Sequence, residues 1–215
     1  MKRPLENEAI AIIIAIAVIS LVMGLQFIII SNFEALGIVI LFAFITIAIN
    51  VIAKKAMAYH LDADVKHEIW HVKRYGFVKS NTFKSPAPMG IILPLFFSLF
   101  SVGAAKVFTI LTYETRPLKR RAAKRHGLYS FTEITEWHNA LIGAAGIIAT
   151  LLVAFISYWF PGLELLSKTA AYYAFWNMIP ISKLDGTQIY FGSRVLWTTL
   201  AAITLVVTLI ALLII

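Results

Sequence analysis

The chain has no cysteine, and this absence removes three kinds of chemistry. Without thiols there is no disulfide framework, no thiolate metal site and no cysteine nucleophile. Charged residues are scarce at 14% of the 215 residues, whereas a soluble domain carries about 25%. Hydrophobic residues reach 60% and the mean hydropathy is +0.83, so the composition indicates an integral membrane protein.

The formal net charge of +8 would indicate a nucleic-acid partner in a soluble protein. Here the Lys and Arg residues stand between apolar runs, where they flank membrane helices and contact anionic lipid. We therefore expect the lipid bilayer as a partner and no nucleic acid. The sequence has no nucleotide-binding motif, and Ser182 and Ser193 lack a neighbouring base for a serine mechanism.

Long uncharged runs predict the membrane spans, since about 20 apolar residues cross the hydrocarbon core. Residues 9–30 form a retained first helix, because the run is too long for a signal peptide and lacks a small-residue cleavage pattern. The second span covers residues 35–53 and a later one covers 141–160, whose small residues favour close helix packing. Residues 169–181 are a shorter apolar run, and 195–215 form the last span.

Residues 90–112 are apolar but are interrupted by Pro94 and Lys106, and two topologies are open for them. If the segment crosses fully, Lys and Arg divide ten to eight, with Lys106 left out; if it turns back near residues 101–103, they divide 17 to one. The positive-inside rule favours the second arrangement. We predict one all-α integral membrane domain over residues 1–215, with five crossing helices, a re-entrant hairpin, and a cytoplasmic N-terminus and basic loops. A plain six-helix protein in the cell membrane is the alternative.

Two polar stretches separate these runs. Residues 54–88 form an interfacial segment that is too polar to cross lipid, and residues 65–78 within it suit short strands or a helical extension. The prolines of residues 85–88 break any regular element there. Residues 113–137 form a basic loop.

The polar segment contains a literal HExxH motif, His67-Glu68-Ile69-Trp70-His71. On a helix, histidines at i and i+4 share a face and can chelate zinc, with the glutamate as the base for the metal-bound water. The alternative is a polar stretch that faces water or lipid headgroups without metal. Of the other histidines, His126 is expected to be solvated, and His138 could serve a second metal arrangement.

A second group of candidate residues follows the shorter apolar run, at Asn177, Pro180, Asp185 and Gly186. Pro180 frees a backbone carbonyl, Asn177 can pair with an exposed backbone group, and Gly186 permits close approach. A carboxylate sheltered from water in this way suits a metal ion. The alternative is that Asp185 only caps the next helix.

The pattern N-x-x-P-x-x-x-L-D-G at residues 177–186 resembles the site-2 protease family of intramembrane zinc metalloproteases, in which this segment supplies the third zinc ligand. Residues 144–150 resemble the family's A-G-P-x-x-N segment, and residues 86–94 its glycine- and proline-bearing segment. The resemblance covers about residues 45–197. It implies a site-2-protease-like core, with zinc as cofactor and transmembrane segments as substrates.

The same resemblance also implies a lost active site. In the family, HExxH is followed by K-x-x-A-x-x-L-G-A, and this chain has a similar pattern at residues 55–63. Counting back from it places the motif on Asn50 to Lys54, where both histidines and the glutamate are missing. Ile147 and Thr150 stand where the family has Pro and Asn. The resemblance therefore implies a degenerate member.

Three functions follow from these observations. The favoured one is a catalytically degenerate scaffold that binds hydrophobic transmembrane segments or partner membrane proteins without cutting them. The alternative is an active zinc peptidase, with His67, His71 and Asp185 as ligands and Glu68 as base. A third is a small transporter with Asp185 in its pathway.

Overall fold

The computed structural model describes residues 7–74, 82–118 and 134–213. In chain order the helices are α1 (Glu8–Ile29), α2 (Phe33–His60), α3 (Met89–Phe100), α4 (Glu136–Tyr158), α5 (Glu164–Met178), α6 (Asp185–Gly192) and α7 (Arg194–Leu212). The strands are β1 (Ala63–Ile69), β2 (Val72–Arg74), β3 (Thr82–Ala87) and β4 (Leu111–Pro117). The described part is mainly helical, as predicted. It also contains four short strands, which the predicted all-α fold did not include.

Four of these helices, α1, α2, α4 and α7, are long and apolar enough to cross a membrane. They correspond to the four long runs of the sequence, and they indicate insertion into a bilayer. The expected fifth crossing falls on α5, which has only 15 residues. Helix α2 continues to His60, beyond the predicted end at residue 53, because Lys54 finds a partner inside the protein.

Local sequence sets the helix boundaries. Asn32 caps α2 by accepting a hydrogen bond from the amide of Ala35, and the turn before it uses Ser31 in a left-handed conformation at φ 59°. Helix α5 ends at Met178 because a residue before proline is driven out of the helical region. Ile179, which precedes Pro180, is extended at ψ 129°.

The polar segment 54–88 contains strands, one of the two structures that the sequence allowed. Strand β1 pairs antiparallel with β4, from Ala63 opposite Pro117 to Ile69 opposite Leu111, and β2 pairs with β3. The prediction that the prolines of residues 85–88 break any regular element was wrong, because β3 runs through Pro86 and an edge strand tolerates proline. The described ends of the expected basic loop belong to β4 and α4. Residues 119–133, including His126, lie outside the described residues.

Residues 89–110 follow a hairpin path, which we call the α3 hairpin. Helix α3 is followed by a turn at residues 101–103 and by a return through residues 104–110 that is neither helix nor strand. Both ends meet at Trp70, whose amide donates to the carbonyl of Ile110 at 2.8 Å and whose carbonyl accepts from Gly90 at 2.9 Å. The path therefore has the shape of the hairpin inferred from the distribution of charge.

Helix α4 lies at the centre of the bundle and contacts α2, α5, α6 and α7. Its small residues allow these helices to approach, as the sequence indicated. A Cβ added to Gly146 would lie 2.6 Å from Cε of Lys54, and one added to Gly143 would lie 2.6 Å from the hydroxyl of Tyr113. Side chains from α2 and β4 therefore reach into the space that these glycines leave open.

Candidate functional site

The most buried charges in the described residues are Lys54 on α2 and Asp185 at the start of α6. Nζ of Lys54 lies 2.6 Å from Oδ2 of Asp185, and the two side chains are 1% and 0% exposed. A single buried charge carries a desolvation penalty of several kcal/mol, so each group depends on the other. We call this contact the buried ion pair.

The walls around Lys54 come from α4 and β4. Its ammonium lies 4.8 Å from the ring centroid of Tyr113, a cation–π distance, and its methylenes pack against Gly146. The Tyr113 hydroxyl donates to the carbonyl of Asn139 at 2.7 Å, which fixes the ring. The cation is therefore held by a carboxylate and an aromatic face, shielded from solvent.

Asn50 lies one turn before Lys54 on the same face of α2 and is also fully buried. Its amide nitrogen donates to Oγ1 of Thr150 at 3.2 Å, and that hydroxyl donates to the carbonyl of Gly146 at 2.8 Å. The two positions that the family resemblance assigns to metal-binding histidines thus face one interior site, together with Thr150 from the segment that resembles A-G-P-x-x-N.

Asp185 does not act as the N-cap of α6, because Leu184 occupies that position and the Asp185 side chain binds Lys54. Its place in the first helical turn still favours a negative charge. Gly186 packs tightly, as the sequence suggested: a Cβ there would lie 2.0 Å from the carbonyl oxygen of Met178. This contact holds the loop of residues 179–184 against the end of α5.

Asn177 and Pro180 shape the neighbourhood of the buried ion pair without contacting it in a described hydrogen bond. The Asn177 amide donates to the carbonyl of Phe108 at 3.2 Å and to that of Tyr173 at 2.8 Å. Asn177 therefore links α5 to the return of the α3 hairpin through the buried carbonyl of Phe108. Pro180 is exposed and ends α5.

The literal HExxH lies on β1 and just beyond it, so the helical geometry on which its zinc chemistry relied does not form. Side chains alternate along a strand, and His67 faces the interior while its neighbour Glu68 faces away. Nδ1 of His67 lies 3.0 Å from Oε1 of Glu8, whereas Glu68 accepts from Lys66 at 2.5 Å. His71 follows the strand, with Nδ1 2.6 Å from the carbonyl of Ile69.

The charge of Lys54 in the buried ion pair affects the pKa of His67. Burial, together with the positive charge of Lys54, lowers the pKa of His67 to about 4, against the opposing effect of Glu8. The imidazole is therefore neutral near pH 7. Its Nε2 is buried and has no hydrogen-bond partner among the described residues.

The donor atoms at the buried ion pair do not fit a zinc ion. A protonated lysine has no lone pair to coordinate a metal, and the Asn50 amide nitrogen is committed to Thr150. Within the described ranges, His, Asp and Glu form no group of three that could hold a metal, and this includes His138 at the start of α4.

No family model, characterised protein or solved structure matches the chain. Its function is therefore inferred from the chemistry of its own residues. The sequence indicated Asp185 and the departures at Asn50 and Lys54, but it did not reveal that Lys54 is the partner of Asp185. The available signal was a lysine and an aspartate that both adjoin apolar runs, since such charges need partners.

Proposed function

We propose that this chain is a site-2-protease-like integral membrane protein that has lost catalysis and serves as a scaffold for transmembrane helices or partner membrane proteins. The observation that carries the proposal is the 2.6 Å contact between Lys54 and Asp185. In the register of the resemblance, Lys54 stands at a metal-ligand position and Asp185 at the third ligand. The ammonium thus takes the place that the family gives to zinc.

The charge balance of the site supports this proposal. In a zinc site, the metal neutralises the carboxylate and also activates a bound water. An ammonium neutralises the carboxylate equally well, but it cannot coordinate and acidify a water molecule. The substitution therefore preserves the contact between α2 and Asp185 at the start of α6 while removing hydrolysis.

The position of the general base supports the same conclusion. In this register, Val51 stands where the family has the glutamate, and it is a buried apolar residue. Valine cannot accept a proton from water. Metal ligands and base are thus replaced together, while the carboxylate of Asp185 and the turn at Gly186 remain.

The proposed orientation places the N-terminus, β1–β4 and the basic loops on the cytoplasmic side. The 17-to-one division of Lys and Arg and the common end point of the α3 hairpin at Trp70 support it. Residues 107–110 of the hairpin's return are buried, and Trp176 and Asn177 bind carbonyls of the return. Non-helical backbone is tolerated at membrane depth under these conditions.

A cavity of about 230 Å³ between α5 and α7 supports the binding role. It is lined by apolar groups such as Phe175 and Ala201 and lies beside Pro180, at the loop that leads to Asp185. Trp197 closes one wall, with its indole nitrogen donating to the carbonyl of Met178 at 3.0 Å. An apolar side chain of a partner helix fits the chemistry of this cavity.

The competing hypothesis is an active zinc peptidase that uses His67, His71 and Asp185 with Glu68 as base. One observation favours it: the buried Nε2 of His67 has no hydrogen-bond partner within the described part of the chain. Such a site would require Lys54 to leave Asp185 and His71 to leave the Ile69 carbonyl.

Rebuilding the family's ligands tests the proposal. We expect Asn50→His/Lys54→His, purified in detergent and exposed to zinc, to retain about one zinc per chain by elemental mass spectrometry, because both imidazoles would face Asp185. Wild-type protein should retain none. The matched control, Asn50→His/Lys54→His/Asp185→Asn, lacks the third ligand and should lose the metal.

Two results would contradict the proposal. A folded double variant that retains no zinc would show that the three positions do not converge as a ligand set. A wild-type protein that retains one zinc and loses it in His67→Ala would establish the peptidase site instead. Circular dichroism of each variant verifies that the helices are intact.

A further inference from the structure

Two half-buried lysines outside the buried ion pair lie on neighbouring segments. Lys106 belongs to the return of the α3 hairpin, and Lys168 lies in the second turn of α5. Between the start of α3 and the end of α5, they are the only Lys or Arg residues outside β4 and the basic run 116–125. The 17-to-one division counts Lys168 on the side opposite the basic loops and leaves out Lys106, which lies within the hairpin.

The packing of the return segment on α5 brings the two lysines together. The ring of Phe108 meets that of Tyr172 edge to face at 6.2 Å, and the Trp176 indole donates to the carbonyl of Lys106 at 2.6 Å. The return segment therefore lies along α5, the helix that carries Lys168, and the positive charge of Lys168 acts on Lys106.

The return of the α3 hairpin and helix α5 also run in the same direction. The return segment ends at Ile110, bonded to the amide of Trp70, and the loop after α5 contacts the same residue through Ser182, whose hydroxyl accepts from the Trp70 indole at 3.1 Å.

The two ammonium groups have no acidic partner within the described residues. Glu164, one turn before Lys168, is exposed and lies beyond ion-pair distance. Lys106 lies outside the four candidate spans, and burial together with the charge of Lys168 lowers its pKa. Two like charges brought together without a counter-ion indicate a place for an external anion.

The depth of Lys106 and Lys168 in the membrane indicates which kind of anion they bind. Helix α4 ends with the exposed aromatic run Tyr158, Trp159 and Phe160, which is typical of a membrane interface. Helix α5 begins at Glu164, four residues after Phe160. Lys168 therefore lies about 6 Å along the helix axis from the first residue of α5. Lysine side chains extend from this depth toward the headgroups. Both ammonium groups can therefore reach the phosphates of this leaflet.

We propose that Lys106 and Lys168 together bind the phosphate of an anionic phospholipid in the leaflet opposite the basic loops. Two charge-assisted hydrogen bonds to phosphate oxygens satisfy the paired cations, and the acyl chains follow the apolar surface of the hairpin and α5. This inference uses the membrane orientation given under the proposed function. It is independent of the buried ion pair, so a negative zinc result leaves it standing.

The test is a titration of the detergent-solubilised protein with phosphatidylglycerol, with the bound lipid counted by native mass spectrometry. We expect Lys106→Gln/Lys168→Gln to bind phosphatidylglycerol about tenfold more weakly or worse, since each variant site loses a charged donor. The matched control, Lys84→Gln/Lys183→Gln, removes two exposed cations from β3 and the loop before α6 and should bind as wild type does. Lys106→Arg/Lys168→Arg should retain binding.

Three outcomes would overturn the proposal. Equal binding by Lys106→Gln/Lys168→Gln and wild type would remove the site, and an equal loss in the control pair would place the lipid at the basic face. Competition by millimolar inorganic phosphate, with no preference for phosphatidylglycerol over phosphatidylcholine, would identify a free-anion site. Helical circular dichroism verifies the folding of each variant.

Discussion

Residues 50–54 of α2 and residues 67–71 around the end of β1 span the same number of positions, but they place their side chains differently. In the helix, the first and last positions lie on one face, and both are buried beside Gly146. In the strand, His67 and Glu68 face opposite sides, and His71 lies beyond the last residue of β1. The spacing of a motif therefore indicates a metal site only inside the secondary structure that the motif requires.

The ion pairs of the two regions also differ in their exposure to solvent. Lys54 and Asp185 are removed from solvent, so their attraction is unscreened and each depends on the other. Lys66 and Glu68 also form an ion pair, but their side chains are 28% and 27% exposed, and water screens the contact. This difference predicts where substitutions should matter most.

The largest effect is expected at the buried ion pair. Lys54→Met leaves the Asp185 carboxylate buried without a counter-ion, and we expect a loss of about 3–5 kcal/mol in the free energy of unfolding. Lys66→Met, at the partly exposed pair, should cost about 1 kcal/mol or less. Thermal and chemical unfolding in detergent measure both.

A double variant controls for effects of the methionine that are unrelated to the lost charge. Lys54→Met/Asp185→Leu removes both charges and should recover most of the lost stability, because two apolar side chains need no counter-ion. If Lys54→Met were no more harmful than Lys66→Met, the buried ion pair would not be the structural centre that its burial indicates.

An intermediate effect is expected at the turn that positions Asp185. Gly186→Ala would bring a Cβ to 2.0 Å from the carbonyl of Met178, so backbone must move, and we expect a loss of about 1–3 kcal/mol. Gly37→Ala is the matched control, since a Cβ there meets nothing within 4 Å, and alanine favours a helix by up to about 1 kcal/mol. Equal melting temperatures for the two variants would argue against a tightly packed turn.

The smallest effect at neutral pH is expected from His67. Its pKa is about 4 in the folded protein and about 6.5 when unfolded, so the unfolded state binds more protons between these values. Stability should therefore be complete above pH 6.5 and decline toward pH 4, by about 1 kcal/mol between pH 7 and pH 5.5. Unfolding followed across this range measures it.

The same pH series separates the two histidines of the literal motif. His67→Gln should flatten the decline, because it removes the buried titratable group beside Glu8 and Lys54. His71→Gln is the matched control, because it removes the other imidazole of the motif and leaves the contact between His67 and Glu8 in place. A decline that persists in His67→Gln would assign the effect to another group.

Much of the helical framework could be predicted from the sequence, because an apolar run long enough to cross lipid has few alternatives to a helix. The close packing at Gly186 followed from its place in the turn, whereas the apolar run 169–181 did not give the bounds of α5, which begins at Glu164 and ends at Met178. The strand β1 was only one of two options, since its alternation of buried and exposed residues depends on pairing with β4, distant in sequence.

By itself, the sequence determined that this chain has helices suited to a bilayer, that charge is unevenly distributed along it, and that Asp185 would need a partner. Only the tertiary structure decided that the partner is Lys54 and that the literal HExxH lies on a strand. The physical reason is that apolar length and turn chemistry act locally, whereas the pairing of buried charges and of strands depends on segments that meet only when α2, α4 and α6 pack together.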